Sequence, residues 1–350
     1  MKKTWKQHLQ QSICTLDEFQ RRFPQAPIDA TACQTFPMRI TPYYLGLIRT
    51  FDFSDPIYAQ CVPQSAELKT PHWLTEDPLA EHAQQPVPGL IQRYPDRVLL
   101  ITTGQCAVRC RHCMRKRLTK REMNAADHRV QERWIAYLHA HPEIRDVLVS
   151  GGDPLLLPEK NLFALLCAIR TVPSVEIIRI ATRIPVTLPM RITKTLAQRL
   201  AAFSPLYINT HFNHPVEVTP EAAHALKLLA DAGLPLGNQT VLLKGINDAP
   251  ETIETLCRLL LKHRVRPYYL FQCDLVEGTE HFRTPLETGL GIMSYLRGRL
   301  SGLGIPHFAL DTPENGKIEL VPNAILSRTS KSTLLRTSNN KTIHYPEPAP

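Results

Sequence analysis

No stretch of this 350-residue sequence approaches the roughly 20 consecutive apolar residues that a membrane-spanning helix needs, and its start, MKKTWKQHLQQ, is basic without an apolar core. Neither a membrane segment nor a secretory leader is expected, and the cytoplasm is the expected location. Aromatic residues are only 7% of the chain, and no basic stripe interleaved with aromatics is present. The formal charge of +9 is spread along the chain, with short runs such as RKRLTKR at 115–121. It therefore reads as a basic surface or a pocket for acidic cofactors rather than a nucleic-acid footprint. The paired CxxC motifs of a structural zinc site are also missing. Of nine cysteines, an odd number, six (14, 33, 61, 167, 257 and 273) stand singly among apolar neighbours, so they read as buried thiols and not as a disulfide framework.

A composition that is 43% hydrophobic supports a sizeable core. Residues 1 to about 90 are polar, proline-containing and helical in patches, with LDEF at 16–19 opening one helix and TPYYLGLI at 41–48 packing on another element. From Arg93 the rhythm changes. Apolar runs recur about every thirty residues at 97–103, 146–152, 175–183, 205–213, 235–245 and 266–274, separated by amphipathic stretches such as PEAAHALKLLADAG at 220–233 with its closing glycine. That alternation predicts βαβ units and a parallel sheet. Six repeats suit an open doubly wound sheet or a partial barrel. The barrel is favoured because residues capable of chemistry stand at or just beyond the C-terminal end of every run: Cys106, Ser150 to Asp153, Arg183, His211, Gln239 and Asp274. Residues 305–350 add one more extended run, IPHFALD, then a turn and a polar tail.

CAVRCRHC at 106–113 brings Cys106, Cys110 and Cys113 onto one loop after the first of these strands. Three thiolates suit a soft metal. A zinc site needs a fourth ligand, and His112, wedged between two of the cysteines, would have to fold back to supply it. Three thiolates on a four-iron cluster leave one iron open to a small molecule.

CxxxCxxC followed by SGGD at 150–153 resembles the radical S-adenosylmethionine enzymes. More narrowly, RYPDRVLL (93–100), CRHCMRKR (110–117), RDVLVSGGDPLL (145–156), VEIIRIATRIPV (175–186), INTHFNHP (208–215), GLPLGNQTVLL (233–243), RVRPYYLFQCDL (264–275) and GKIELVPN (316–323) are similar to lysine 2,3-aminomutases. The similarity runs from about residue 35 to the YPEP near the end. It implies a partial (β/α)6 barrel at 93–304, preceded by a mostly helical region at 1–92 and followed by a C-terminal segment at 305–350.

The resemblance also implies cofactors and roles. Cys106, Cys110 and Cys113 would hold a [4Fe-4S] cluster. S-adenosylmethionine would lie against His112, Ser150, Gly151, Gly152, Asp153, His211 and Gln239. Pyridoxal 5′-phosphate would be joined as an imine to Lys317, with its phosphate on Arg93 and Arg97. Arg115 matches the arginine that grips the substrate carboxylate, and Asp274 and Asp311 match the pair that binds the ε-ammonium of L-lysine. A like charge there would repel a glutamate side chain. The expected reaction moves the α-amino group of L-lysine to C3 to give β-lysine, with electrons from a reductant such as flavodoxin or ferredoxin. Read without the resemblance, Lys317 is a turn lysine and each aspartate a helix cap.

Two departures stand out. Ala249 in GINDAPET replaces a zinc-binding cysteine of many relatives, and the chain ends at YPEPAP without their cysteine-bearing extension, so no zinc is expected and a homo-oligomer would rest on other contacts. The short end also resembles relatives that make β-lysine for elongation factor P. Other cationic amino acids, and a non-catalytic metal- or RNA-binding protein, complete the alternatives.

Overall fold

The computed structural model describes residues 4–120, 127–313, 316–322, 324–329, 332–337 and 341–346. Arg121 of the basic run, Glu314, Asn315 and Asn323 of the DTPENGKIELVPN stretch, and the chain from Glu347 lie outside the described residues. Nine strands form one sheet in sequence order: β1 (Leu90–Tyr94), β2 (Arg97–Ile101), β3 (Asp146–Ser150), β4 (Ile177–Ala181), β5 (Leu206–Thr210), β6 (Leu236–Leu242), β7 (Val265–Gln272), β8 (His307–Thr312) and β9 (Gly316–Glu319). Strands β2 to β8 run parallel; β1 and β9 are antiparallel edges.

The crossover helices follow their capping signals. Thr219 caps Pro220–Asp231 through the amide of Ala222, with proline in the first turn, and Gly233 closes it at φ +84°. Asp127 and Thr193 cap His128–Ala140 and Lys194–Ala201 in the same way. One strand face packs on these helices: Val98, Leu100, Val147, Val149, Ile178, Ile180, Leu206 and Ile208 are buried in a single cluster with Leu162, Leu166, Leu200 and Leu226. Alternation then turns Arg97, Asp146, Arg179 and Tyr207 to the opposite, concave face. That face looks into the barrel, and Leu99 and Leu148 share it with these polar residues.

The two edges of the sheet meet without pairing. The Arg93 guanidinium lies 3.3 Å from the Asp311 carboxylate and also donates to the carbonyl of Thr312, and the Lys317 amide donates to the Tyr94 hydroxyl at 3.1 Å. Side chains thus bridge the seam of a nearly closed barrel. Ahead of it, short helices pack on the barrel: the Thr15–Glu18 capping box opens Leu16–Arg22, and Tyr44 of Pro42–Leu45 is fully buried.

Three expectations need correction. The strand rhythm starts at Leu90, before Arg93, because Arg93 and Tyr94 close β1 and Pro95-Asp96 turns the chain into β2. Gln239 sits inside β6, which runs on to Leu242, so it is not at a strand end. The polar tail contains a three-stranded antiparallel sheet, β10 (Ile325–Arg328), β11 (Ser332–Arg336) and β12 (Thr342–Pro346). Among the described residues, no helix is long and apolar enough to cross a membrane.

Candidate active site

The loop after β2 carries the cysteines, and it is held from two sides. Gly152 donates to the Thr103 carbonyl at 2.5 Å and the Asp153 amide to the Gln105 carbonyl at 2.7 Å, which stitches the SGGD turn onto the cysteine loop. A Cβ on Gly152 would meet Gln105 O at 2.2 Å, and one on Gly151, at φ +131°, Thr103 O at 2.5 Å. This close approach is why both positions are glycine. Asp153 spends its carboxylate on the Thr182 hydroxyl (2.7 Å) and on the amides of Arg183 (2.7 Å) and Leu155 (3.1 Å), tying the end of β3 to that of β4.

On the other side, Arg183 donates to Cys110 Sγ at 2.7 Å, to Gln60 Oε1 at 2.7 Å and to Glu217 Oε1 at 2.7 Å, linking the cysteine loop, β4 and the N-terminal helices. Arg111 and Lys116 share the fully buried Glu67 at 2.7 and 3.2 Å. Burial, then the charges of Cys113 and Cys110, pushes the Cys106 thiol up, and burial, then Cys110, does the same to Cys113, so both favour the neutral thiol until a metal takes the charge. Among the described residues, no three His, Cys, Asp or Glu side chains converge on a single-ion point. Ligands of a four-iron cluster bind different irons and need not converge; what suits that group is three thiols on one loop within electrostatic reach of one another.

His112 and His211 stack beside this loop with ring centroids 5.5 Å apart. Burial, then Arg183, holds both imidazoles neutral. The Asn213 amide nitrogen, 3.2 Å from His112 Nε2, can only donate, which leaves the proton of His112 on Nδ1. That Nδ1 and His211 Nε2 are buried and have no hydrogen-bond partner among the described residues. Ser150 is buried, its carbonyl taken by Thr102, and Gln239 is partly buried.

The opposite wall is charged. Lys317 on β9 pairs with Asp311 on β8, its Nζ 3.9 Å from Asp311 Oδ2 and over the rings of Tyr269 and Phe271 at 4.5 and 4.8 Å. Burial lowers the lysine's pKa; Asp311 opposes this, and Arg93, Arg179 and Arg97 add to it. A buried amine with a lowered pKa is a competent imine former, so the lysine wall fits pyridoxal phosphate. Asp274, two residues beyond β7, is pushed up to about 7 by burial and then by Asp311, with Arg115 opposing. Arg115 uses one edge of its guanidinium on Glu81, at 2.6 Å from Nη2 and 3.0 Å from Nε, and Arg117 binds the same carboxylate. The two arginines outweigh burial and hold Glu81 down at about 2.

Sequence reasoning missed Arg179, Asp146, Glu81, Glu67 and Glu217. Arg179 and Asp146 had a readable signal, a charge at the polar phase of an alternating strand. Glu67, Glu81 and Glu217 had none, since their partners lie far away in sequence.

A βα barrel with three cysteines on the loop after its first parallel strand is the arrangement expected of a radical S-adenosylmethionine enzyme. The family model described as Radical SAM superfamily matches residues 100–260, and the one described as Lysine-2,3-aminomutase matches residues 293–350. Membership of the superfamily implies S-adenosylmethionine and a [4Fe-4S] cluster. The chain is 44% identical over 349 residues to an L-lysine 2,3-aminomutase of Acetoanaerobium sticklandii, covering 98% of this chain and 84% of that one. It is 45% identical over 338 residues to the L-lysine 2,3-aminomutase of Methanococcus maripaludis, covering 96% and 77%. It is also 42% identical over 309 residues to a Glutamate 2,3-aminomutase of Clostridioides difficile, covering 88% and 73%. Among solved structures it is similar to a radical SAM methyltransferase from Sphaerobacter thermophilus, 17% identical over 63% of this chain and 68% of that one, with a TM-score of 0.48. The chain belongs to the lysine 2,3-aminomutase family and is a radical aminomutase, an isomerase.

Proposed function

We propose that this aminomutase acts on L-lysine, moving its α-amino group to C3 to give β-lysine, with pyridoxal 5′-phosphate at Lys317. The observation that carries the reading is Asp311 at 3.9 Å from Lys317, with Asp274 just beyond β7 in electrostatic reach of both Asp311 and Arg115. One cation for a carboxylate and two carboxylates for a distant ammonium match an amino acid with a cationic tail. A glutamate side chain would instead add a third negative charge, at about 4 kcal/mol per like pair at 4 Å and an effective dielectric of 20.

When bound, the cluster and S-adenosylmethionine supply the radical that takes hydrogen from C3, and pyridoxal phosphate carries the migrating nitrogen. Cys106, Cys110 and Cys113 would hold the cluster, which would bind S-adenosylmethionine where no cysteine is supplied. His112, His211, Gln239 and the Ser150–Asp153 turn bound the space for its adenine and methionine parts. Arg93 and Arg97 serve the pyridoxal phosphate group. Arg115 has its Nη1 edge left for the substrate carboxylate, because Glu81 occupies the other. A small electron-donating protein serves as reductant.

The test is anaerobic reconstitution with iron, sulfide and pyridoxal phosphate, then S-adenosylmethionine, reductant and, separately, L-lysine, L-arginine, L-ornithine and L-glutamate. β-Lysine from L-lysine alone is expected. β-Glutamate as the main product would overturn the assignment, and a β-amino product from arginine or ornithine only would redirect it to another cationic tail.

A further inference from the structure

The three guanidiniums acting on Lys317 are not equivalent. Arg93 is engaged by Asp311 and the Thr312 carbonyl. Arg97 lies at the rim, 41% exposed, stacked 4.1 Å over Tyr94 and 3.7 Å from Asp96. Arg179 is different. It rises from the middle of β4 between Ile178 and Ile180, both 0% exposed against the helices, so it points into the cavity. Its Nε donates to Asp146 Oδ1 at 2.9 Å, with the two side chains 18% and 14% exposed. Asp146 stands at the start of β3, the strand next to β4.

That single bond fixes the plane of the guanidinium and leaves Nη1 and Nη2 without a partner among the described residues. A planar pair of donors so held matches two oxygens of a phosphate. Position agrees with this. The carbon that takes the lysine amine and the phosphate of pyridoxal phosphate are separated by the breadth of its ring. A phosphate-binding group must therefore stand near Lys317 but out of contact with it. Arg179 is within electrostatic reach of Lys317, and no hydrogen bond or ion pair joins the two among the described residues, whereas Asp311 lies 3.9 Å from it.

We propose that Arg179 gives its Nη1 and Nη2 edge to the phosphate of pyridoxal 5′-phosphate bound at Lys317, and that Asp146 is the positioning residue that aims it. The inference rests on the cofactor reading above. Asp146 acts through Arg179 and touches no part of the cofactor.

The test separates phosphate from ring. Wild type, Arg179→Gln, Arg179→Lys and Asp146→Asn proteins are titrated with pyridoxal 5′-phosphate and, separately, with pyridoxal, following the visible absorbance of the imine; iron content and melting temperature check the fold. The loss of a charge-assisted pair raises the Kd for the phosphorylated cofactor about thirtyfold in Arg179→Gln. Pyridoxal affinity changes less than about threefold, because pyridoxal lacks the group that Arg179 holds. Arg179→Lys recovers part of the loss as a point charge without the fork, and Asp146→Asn loses about fivefold. Equal losses for both ligands would make Arg179 structural and overturn the proposal, as would no loss for either. No imine in wild type with either ligand would instead bring down the cofactor reading itself, and this inference with it.

Discussion

The cysteine wall and the lysine wall of the cavity are built on different principles. On the cysteine wall almost every charge is consumed internally: Arg183 by Cys110, Gln60 and Glu217, Arg111 and Lys116 by Glu67, Asp153 by two amides and a hydroxyl. What remains open is neutral, the two stacked imidazoles. On the lysine wall the pairing is looser: Arg93 and Lys317 share Asp311, Arg179 has a single bond to Asp146, and Asp274 has Asp311 and Arg115 as electrostatic neighbours. The first wall is rigid because the loop it carries must present three thiolates in one geometry. The second keeps charges of both signs side by side, which is what the proposed cofactor phosphate and cationic substrate require.

Substitutions on one wall should therefore leave the other intact. The largest effects are all-or-none. Cys113→Ala should lose the iron–sulfur absorbance yet keep the imine band, and Lys317→Ala should lose the imine band yet keep its iron. Either variant losing both signals would show that the walls are coupled. Next, Asp274→Asn should weaken L-lysine binding about a hundredfold, by about 2–3 kcal/mol, measured calorimetrically on the holoenzyme; an unchanged Kd would remove Asp274 from the substrate site.

The same carboxyl sets a pH dependence. Its folded pKa of about 7 lies above that of a free aspartate, so without a bound cation beside it the carboxyl is neutral below that pH. L-lysine affinity should fall as pH drops from 8 to 6, approaching about tenfold per unit, and Asp274→Asn should flatten the profile. The sign for stability is the reverse: the raised pKa favours the folded state at low pH, and that contribution is lost as pH rises toward about 7.

Gly152→Ala forces a Cβ to 2.2 Å from Gln105 O, so a cost of about 1–3 kcal/mol and slower iron uptake are expected, read by melting temperature and cluster reconstitution rate. The smallest effect is at the seam. Tyr94→Phe removes the acceptor for the Lys317 amide and should cost about 1 kcal/mol, with iron content unchanged.

How much of this was legible in the sequence divides along the same lines. The parallel strands, the capped helix at 220–231 and the cysteine loop were readable because period-two and period-3.6 patterns and turn residues are local. Residue similarity marked Lys317, Asp274, Asp311 and Arg115 as candidates. The antiparallel edges were not readable: β1 is five residues long and β9 four, and neither has its own periodicity. The acids that hold the arginines were hidden for another reason. Glu81 meets Arg115 across 34 residues and Glu217 meets Arg183 across another 34, so each looks like a surface carboxylate until the chain is folded. Arg179 is the instructive middle case, visible as a charge inside IIRIATR but meaningless until the barrel gave its face an interior.

The most direct test of the two-walled cavity is borohydride reduction of the pyridoxal-loaded holoenzyme, with and without L-lysine, followed by mass spectrometry. The account predicts a phosphopyridoxyl group on Lys317 when L-lysine is absent, and its appearance as free phosphopyridoxyl-lysine when L-lysine is present. A label fixed on another lysine of the chain, or one on Lys317 that added L-lysine does not displace, would contradict it.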